Sequence, residues 1–129
     1  MINEVEMEIV QLYIAKSKRK RVMWELGNPK RRKEIMVQRL LFLNTWKPEC
    51  LHPIEYMPKE ELEKYLYKLS GNRRAYFIGD NNDIGYLSLQ DAVSKADDGA
   101  WCVIYCGNGY GYFQGEAEIA KQPRYLLYN

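Results

Sequence analysis

Apolar positions recur at helical spacing through the first half of the chain, then give way to aromatic-rich runs separated by glycines. Asn3 and Glu6 have the spacing of a capping box, in which the Asn side chain accepts from an early backbone N–H and the Glu reaches back. Behind that start, Val5, Ile9, Leu12, Met23 and Leu26 share one seven-residue phase, broken at Lys16 and Arg19. With Glu4, Glu6 and Glu8 near the positive end of the dipole, the pattern predicts one helix ending in a left-handed stop at Gly27. Asn28-Pro29 reads as an N-cap and first-turn proline opening a second helix, with Ile35, Met36, Leu40 and Leu43 at helical spacing up to about Trp46. Residues 1–46 are therefore expected to form a basic helical hairpin.

Pro48, Pro53 and Pro58 each lack an N–H and restrict the preceding residue, so Lys47 to Met57 reads as a connector. Pro58 opens a third helix with Leu62, Tyr65, Leu66 and Leu69 on one face and Gly71 past its end. A strand follows over Ala75 to Ile78, then a polar loop from Gly79 to Gly85, and a short helix capped by Ser88 with Asp91 and ended at Gly99.

The sharpest local signal is Asn108-Gly109 between two strand-like runs, Trp101 to Cys106 and Tyr110 to Gly115. Both central residues tolerate positive φ, which favours a type I′ hairpin. A plain two-residue turn sets Tyr105 opposite Tyr112, Val103 opposite Gln114 and Trp101 opposite Glu116 on one face. Cys102, Ile104, Phe113, Gly111 and Gly115 then form a thin apolar face for the core. Arg124 to Tyr128 reads as a last strand. The expected fold class is α+β: an N-terminal helical hairpin plus further helices packed on a small mixed β-sheet containing the C-terminal β-hairpin. It is read as one globular domain over 1–129, with 1–46 the basic hairpin and 58–129 the mixed α/β portion. If the strands flanking the Ser88 helix are parallel, that passage crosses over right-handed.

Composition narrows the class without choosing a function. A chain of 129 residues buries about two-thirds of its unfolded surface in one core. Its 47% hydrophobic and 28% charged residues are those of an ordinary globular protein. No apolar run approaches the roughly 18 to 20 residues of a membrane span, and the acidic N-terminus is unlike a secretory signal, so a cytoplasmic protein with no membrane partner is expected. Three cysteines, an odd number, read as reduced thiols.

Charge changes the picture more. Ten of the 19 Lys and Arg residues fall between positions 16 and 39: Lys16, Lys18, Arg19, Lys20, Arg21, Lys30, Arg31, Arg32, Lys33 and Arg39. Residues 75–129 are acidic on balance, so the formal net charge of +2 hides a bipolar chain. Lys30 to Lys33 sit at a helix start, where like charge is unfavourable and free backbone N–H groups would receive an anion. Trp24 lies nearby. Helix-turn-helix spacing, zinc-finger ligands and an RNA-recognition signature are not found, so sequence-specific recognition is not expected.

The candidate chemistry is sparse. Cys102 and Cys106 in one extended strand stand about 13 Å apart, too far to share a zinc ion. Cys50 and His52 at i, i+2 are too far apart for a nucleophile pair without a turn. Asp80, Asn82, Gly85 and Asp91 echo part of a calcium loop, but Ile84 occupies a ligand place. Gly107, Gly109 and Gly111 lead into a strand rather than a phosphate-binding helix. No catalytic residue, metal or cofactor is assigned.

Asn28-Pro29-Lys30-Arg31-Arg32, Leu87-Ser88-Leu89-Gln90-Asp91-Ala92, Tyr112-Phe113-Gln114-Gly115-Glu116 and Pro123-Arg124-Tyr125-Leu126-Leu127 together resemble small bacterial proteins of the immunity or accessory kind, over most of the chain. That resemblance implies a protein that neutralises a toxin by occluding it, and carries over no binding residues. The leading expectation is a non-enzymatic protein-binding module whose partner is another protein, such as a toxin domain, held by Trp101, Tyr105, Tyr110, Tyr112 and Glu116. The alternative is nucleic-acid or anionic-ligand binding through Lys18, Arg19, Lys20, Arg21, Lys30, Arg31, Arg32 and Lys33.

Overall fold

A computed structural model describes residues 3–32, 41, 43–80, 83–116 and 122–129. Helix α1 spans Glu4–Tyr13, and Asn3 Oδ1 accepts from the Glu6 N–H at 2.8 Å, as the capping spacing predicts. The Glu6 carboxylate does not reach back. It turns inward, fully buried, to Arg32 and the Tyr76 hydroxyl.

The long first helix expected up to Gly27 is instead two helices. Ile14 is extended, Ala15 lies outside either helix, and α2 runs Lys16–Leu26. At the break Ile14 forms an antiparallel bridge with Trp46, the Lys47 N–H donates to Tyr13 O at 2.7 Å and the Ala15 N–H to Thr45 O at 3.1 Å. A straight continuation would carry Lys16 and Arg19 into the apolar seam. The break re-aims the chain so that Val22 and Leu26 face inward and Arg19 Nε donates to the Ile14 carbonyl. Gly27 has φ −79°, an ordinary right-handed conformation, so the left-handed stop is not formed.

Residues 29–32 are helical. The remainder of the predicted second helix, 33–40, lies outside the described residues. It does not extend to Trp46, because Leu43–Thr45 form a 3-10 turn and Trp46 is in the bridge. The expected connector contains a second 3-10 turn, Pro48–Cys50, and a short strand β1, Leu51–Pro53.

Helix α3 spans Lys59–Ser70 and closes on Gly71 at φ 75°, where glycine alone is comfortable. Strand β2 is Arg74–Gly79. The stretch read as loop up to Gly85 yields another strand, β3, at Ile84–Ser88. Helix α4, Leu89–Asp97, starts where Ser88 Oγ accepts from the Asp91 N–H at 3.0 Å. Strands β4 (Cys102–Gly107), β5 (Tyr110–Gln114) and β6 (Arg124–Leu127) complete one sheet of order β1-β6-β5-β4-β2-β3.

The fold is α+β, with every strand pairing antiparallel rather than mixed, so β2 and β4 are not joined by a parallel crossover. The sheet is covered on both faces. Tyr76, Ile78, Val103, Tyr105, Phe113 and Leu127 pack under Ile9, Val10 and Tyr13 of α1 and Val22 and Leu26 of α2. Ala75, Phe77, Cys102, Ile104, Tyr112 and Leu126 pack against Leu62 and Leu66 of α3 and the apolar face of α4. Among the described residues, no helix is long and apolar enough to cross a membrane.

The reversal at Asn108 and Gly109, with φ of 55° and 83°, forms as predicted. The pairing beyond it does not. A bulge between Tyr105 and Gly107 makes Cys106 an extra residue, so Tyr105 pairs with Gly111 and Ile104 with Tyr112. The carbonyl of Cys106 is satisfied by Asn72 Nδ2 at 2.8 Å, and Asn108 Nδ2 donates to Ser70 O at 2.7 Å. The end of α3 thus clamps the bulged hairpin. One shifted place moves Tyr112 to the face opposite Tyr105.

Candidate functional site

That shift dissolves the aromatic face assembled from the sequence. Tyr105 is buried beneath α1, its hydroxyl donating to Glu8. Tyr112 is buried on the other face and donates to Gln114 Oε1 at 2.7 Å. Trp101 is half-buried with its indole N–H given to Leu41 O at 2.7 Å. Tyr110 lies beside Tyr128, ring centroids 6.1 Å apart, and Glu116 is exposed. The five residues form no common surface, and the core claims the two at its centre.

The basic set divides in a way that composition cannot reveal. Arg32 makes a two-pronged ion pair with the buried Glu6 carboxylate and also donates to Leu26 O. Its guanidinium is held above its ordinary pKa first by that hydrogen bond to Glu6. Lys18 donates to Asn44 O, Arg19 to Ile14 O, and Arg21 pairs with Glu25 at 3.2 Å. The helix start at Asn28 is also spoken for: Asn28 Oδ1 accepts from the Lys30 and Arg31 amides, and Asn28 O from the Arg31 and Arg32 amides. The free N–H groups expected to welcome an anion there are already satisfied. Lys33 lies outside the described residues.

What remains is a face of α2. Val22, Glu25 and Leu26 point inward. At 100° per residue, Lys16, Lys20 and Trp24 therefore line up along the opposite, solvent side, one turn apart. Trp24 is 61% exposed, the most exposed of the large hydrophobic side chains described. It borders a shallow groove of about 660 Å³ shared with Met23, Gly27, Asn28, Pro29 and Lys30. Lys16, Lys20 and Lys30 make no side-chain hydrogen bond or ion pair among the described residues, and Lys20, Lys30 and Arg31 are all exposed. Sequence reading noted Trp24 only as a neighbour of the charge block. Its outward phase follows from the helix break at Ile14, which no glycine or proline announces.

The thiols are poor nucleophiles. Cys50, Cys102 and Cys106 are unpaired and buried. Burial raises all three, Cys106 to about 12. Cys50 Sγ lies 3.0 Å from Asn129 Oδ1, and His52 stacks on Tyr128 at 3.6 Å between centroids with Nε2 at 3.0 Å from Tyr128 O. Asp83 of the calcium-like loop is ion-paired with Lys95. Comparison with protein-family models, curated proteins and solved structures finds no match to this chain.

Proposed function

We propose that this chain is a non-enzymatic binding module that holds single-stranded nucleic acid on the exposed face of α2. The observation that carries the reading is Trp24, an indole left in solvent on the same face as Lys16 and Lys20 and sharing a groove with Lys30. Exposing a large aromatic side chain forgoes roughly 1.5 to 3 kcal/mol of burial, which a structural role does not recover. An indole face can instead stack on a base at about 1 to 3 kcal/mol, while flanking cations follow the phosphates. A duplex hides its base faces, so a stacking platform favours unpaired strands.

The arrangement supports sequence-tolerant recognition, because every base has a π-face and lysine reads a phosphate as a point charge. Toxin occlusion through the hairpin aromatics loses its contact surface once Tyr105 and Tyr112 are buried. The test is a fluorescence-anisotropy titration of a labelled single-stranded oligonucleotide with the wild-type chain and with Trp24→Ala. The variant is expected to bind about tenfold more weakly, equivalent to about 1.4 kcal/mol. Its stability should change by no more than about 0.5 kcal/mol, since the side chain is on the surface. Equal affinity in the two proteins contradicts the proposal.

A further inference from the structure

Three tyrosines form a row across the sheet on the face that α1 covers. Tyr76 of β2 stands opposite both Tyr86 of β3 and Tyr105 of β4, so the three side chains share that face. Together with Val5 and Glu8, one turn apart on α1, they line a cavity of about 270 Å³ whose lining includes no described residue of α2. It is therefore separate from the Trp24 groove.

The row carries opposite charges at its two ends. On the β3 side, the Arg74 guanidinium lies 4.1 Å from the centroid of the Tyr86 ring and makes no hydrogen bond or ion pair among the described residues. Stacking holds its plane while leaving the N–H edge open. The preceding cation, Arg73, is taken up by the Tyr67 ring of α3 at 4.2 Å. On the β4 side, Glu8 Oε2 accepts from the Tyr105 hydroxyl, and among the described residues the carboxylate has no cation partner. Its other oxygen keeps its acceptor capacity. Two strand spacings, about 10 Å, separate the two ends, so the charges do not neutralise each other.

We propose that this cavity binds a short zwitterionic peptide of two residues, its ammonium on Glu8, its carboxylate on Arg74 and its apolar body along the tyrosine row. A ligand of one charge would satisfy only one end. A charge-assisted hydrogen bond of about 2.8 Å at each end leaves about 4 to 5 Å for the ligand's own charge separation. One residue reaches at most about 3.6 Å and two reach about 7 Å, so a dipeptide spans the gap and a free amino acid does not. Between the charges, Tyr76 and Tyr86 sit edge to face at 5.1 Å and offer an aromatic floor. The volume falls below the roughly 300 to 1,000 Å³ of sites for drug-sized ligands, in keeping with so small an occupant.

Amide chemical-shift titration of the full chain with the dipeptide Ala-Phe tests the proposal, alongside its N-acetylated form, its C-terminal amide and free phenylalanine. Ala-Phe is expected to perturb the amides of Tyr76 and Gly107, with affinity falling about threefold or more when either end is blocked. Glu8→Gln should erase the difference between free and acetylated ligand, and Arg74→Gln the difference between free acid and amide. Both residues are exposed, so thermal melting should be preserved. If Glu8→Gln unfolds through loss of its bond to Tyr105, Arg74→Gln and the blocked ligands decide alone. No perturbation at about 10 mM Ala-Phe, where a millimolar site is nearly saturated, overturns the proposal. So do equal affinities for free and blocked ligands, preferences unchanged in both variants, or free phenylalanine binding as well as the dipeptide.

Discussion

At the residue scale, Glu6 shows how a correct local pattern can hide a long-range role. Its N–H completes the Asn3 cap, but its carboxylate binds Arg32 and the Tyr76 hydroxyl in the interior. Nothing in the spacing of positions 6, 32 and 76 betrays that network, because it exists only once three separate elements meet. A buried carboxylate that loses its cation is left uncompensated, so Arg32→Met should lower stability by about 3 to 5 kcal/mol in urea unfolding. A loss under about 1 kcal/mol would contradict the buried pairing. The tyrosines and thiols give a second expectation. Burial, the main cause in each case, raises Tyr76 from 10.0 to about 12 and Cys106 from 9.0 to about 12, and also raises Tyr13, Tyr105, Tyr112, Cys50 and Cys102. Each proton is held more tightly folded than unfolded. The associated stability is therefore complete below about pH 9 and drains away as pH rises toward about 12. Urea midpoints should fall steeply across that window, and a flat profile would mean that these groups are solvated.

At the scale of elements, the α3 and α4 helices, β2, the hairpin turn and β6 were all legible, because each is marked by local chemistry: caps, a glycine stop, an Asn-Gly pair. The break at Ile14 and the bulge at Cys106 were not. Both are set by partners distant in sequence, Trp46 for the first and Asn72 for the second. Strand β3 was missed because Gly79 to Gly85 read as a polar loop, which took in the start of the strand, and its pairing with β2 is a tertiary fact. The register error mattered most for function, since a period of two turns one displaced residue into an exchange of faces. Gly111 now carries that register. A Cβ there would lie 2.9 Å from Ile104 O and 3.4 Å from a Leu127 methyl, in the middle of the sheet. Gly111→Ala should therefore cost about 1 to 3 kcal/mol by overpacking, read as a lowered thermal midpoint. A neutral effect would show that the hairpin has room the structure denies it.

For the molecule as a whole, the candidate site was half legible: the basic block stood out in the sequence, but which cations were free did not. Arg32 is consumed by the core, and Lys18, Arg19 and Arg21 by local acceptors. That leaves a narrower cationic strip around an exposed indole on the outer side of α2, away from the sheet. In the three-layer packing both sheet faces are occupied by helices and the hairpin aromatics at the centre are spent on the core. Whether this strip holds a phosphate backbone is decided by the affinity for a single-stranded oligonucleotide measured as a function of salt. With Lys16, Lys20 and Lys30 as the available contacts, log K should fall linearly with log salt at a slope of about −2. A flat dependence, or no binding even at low salt, would contradict the account.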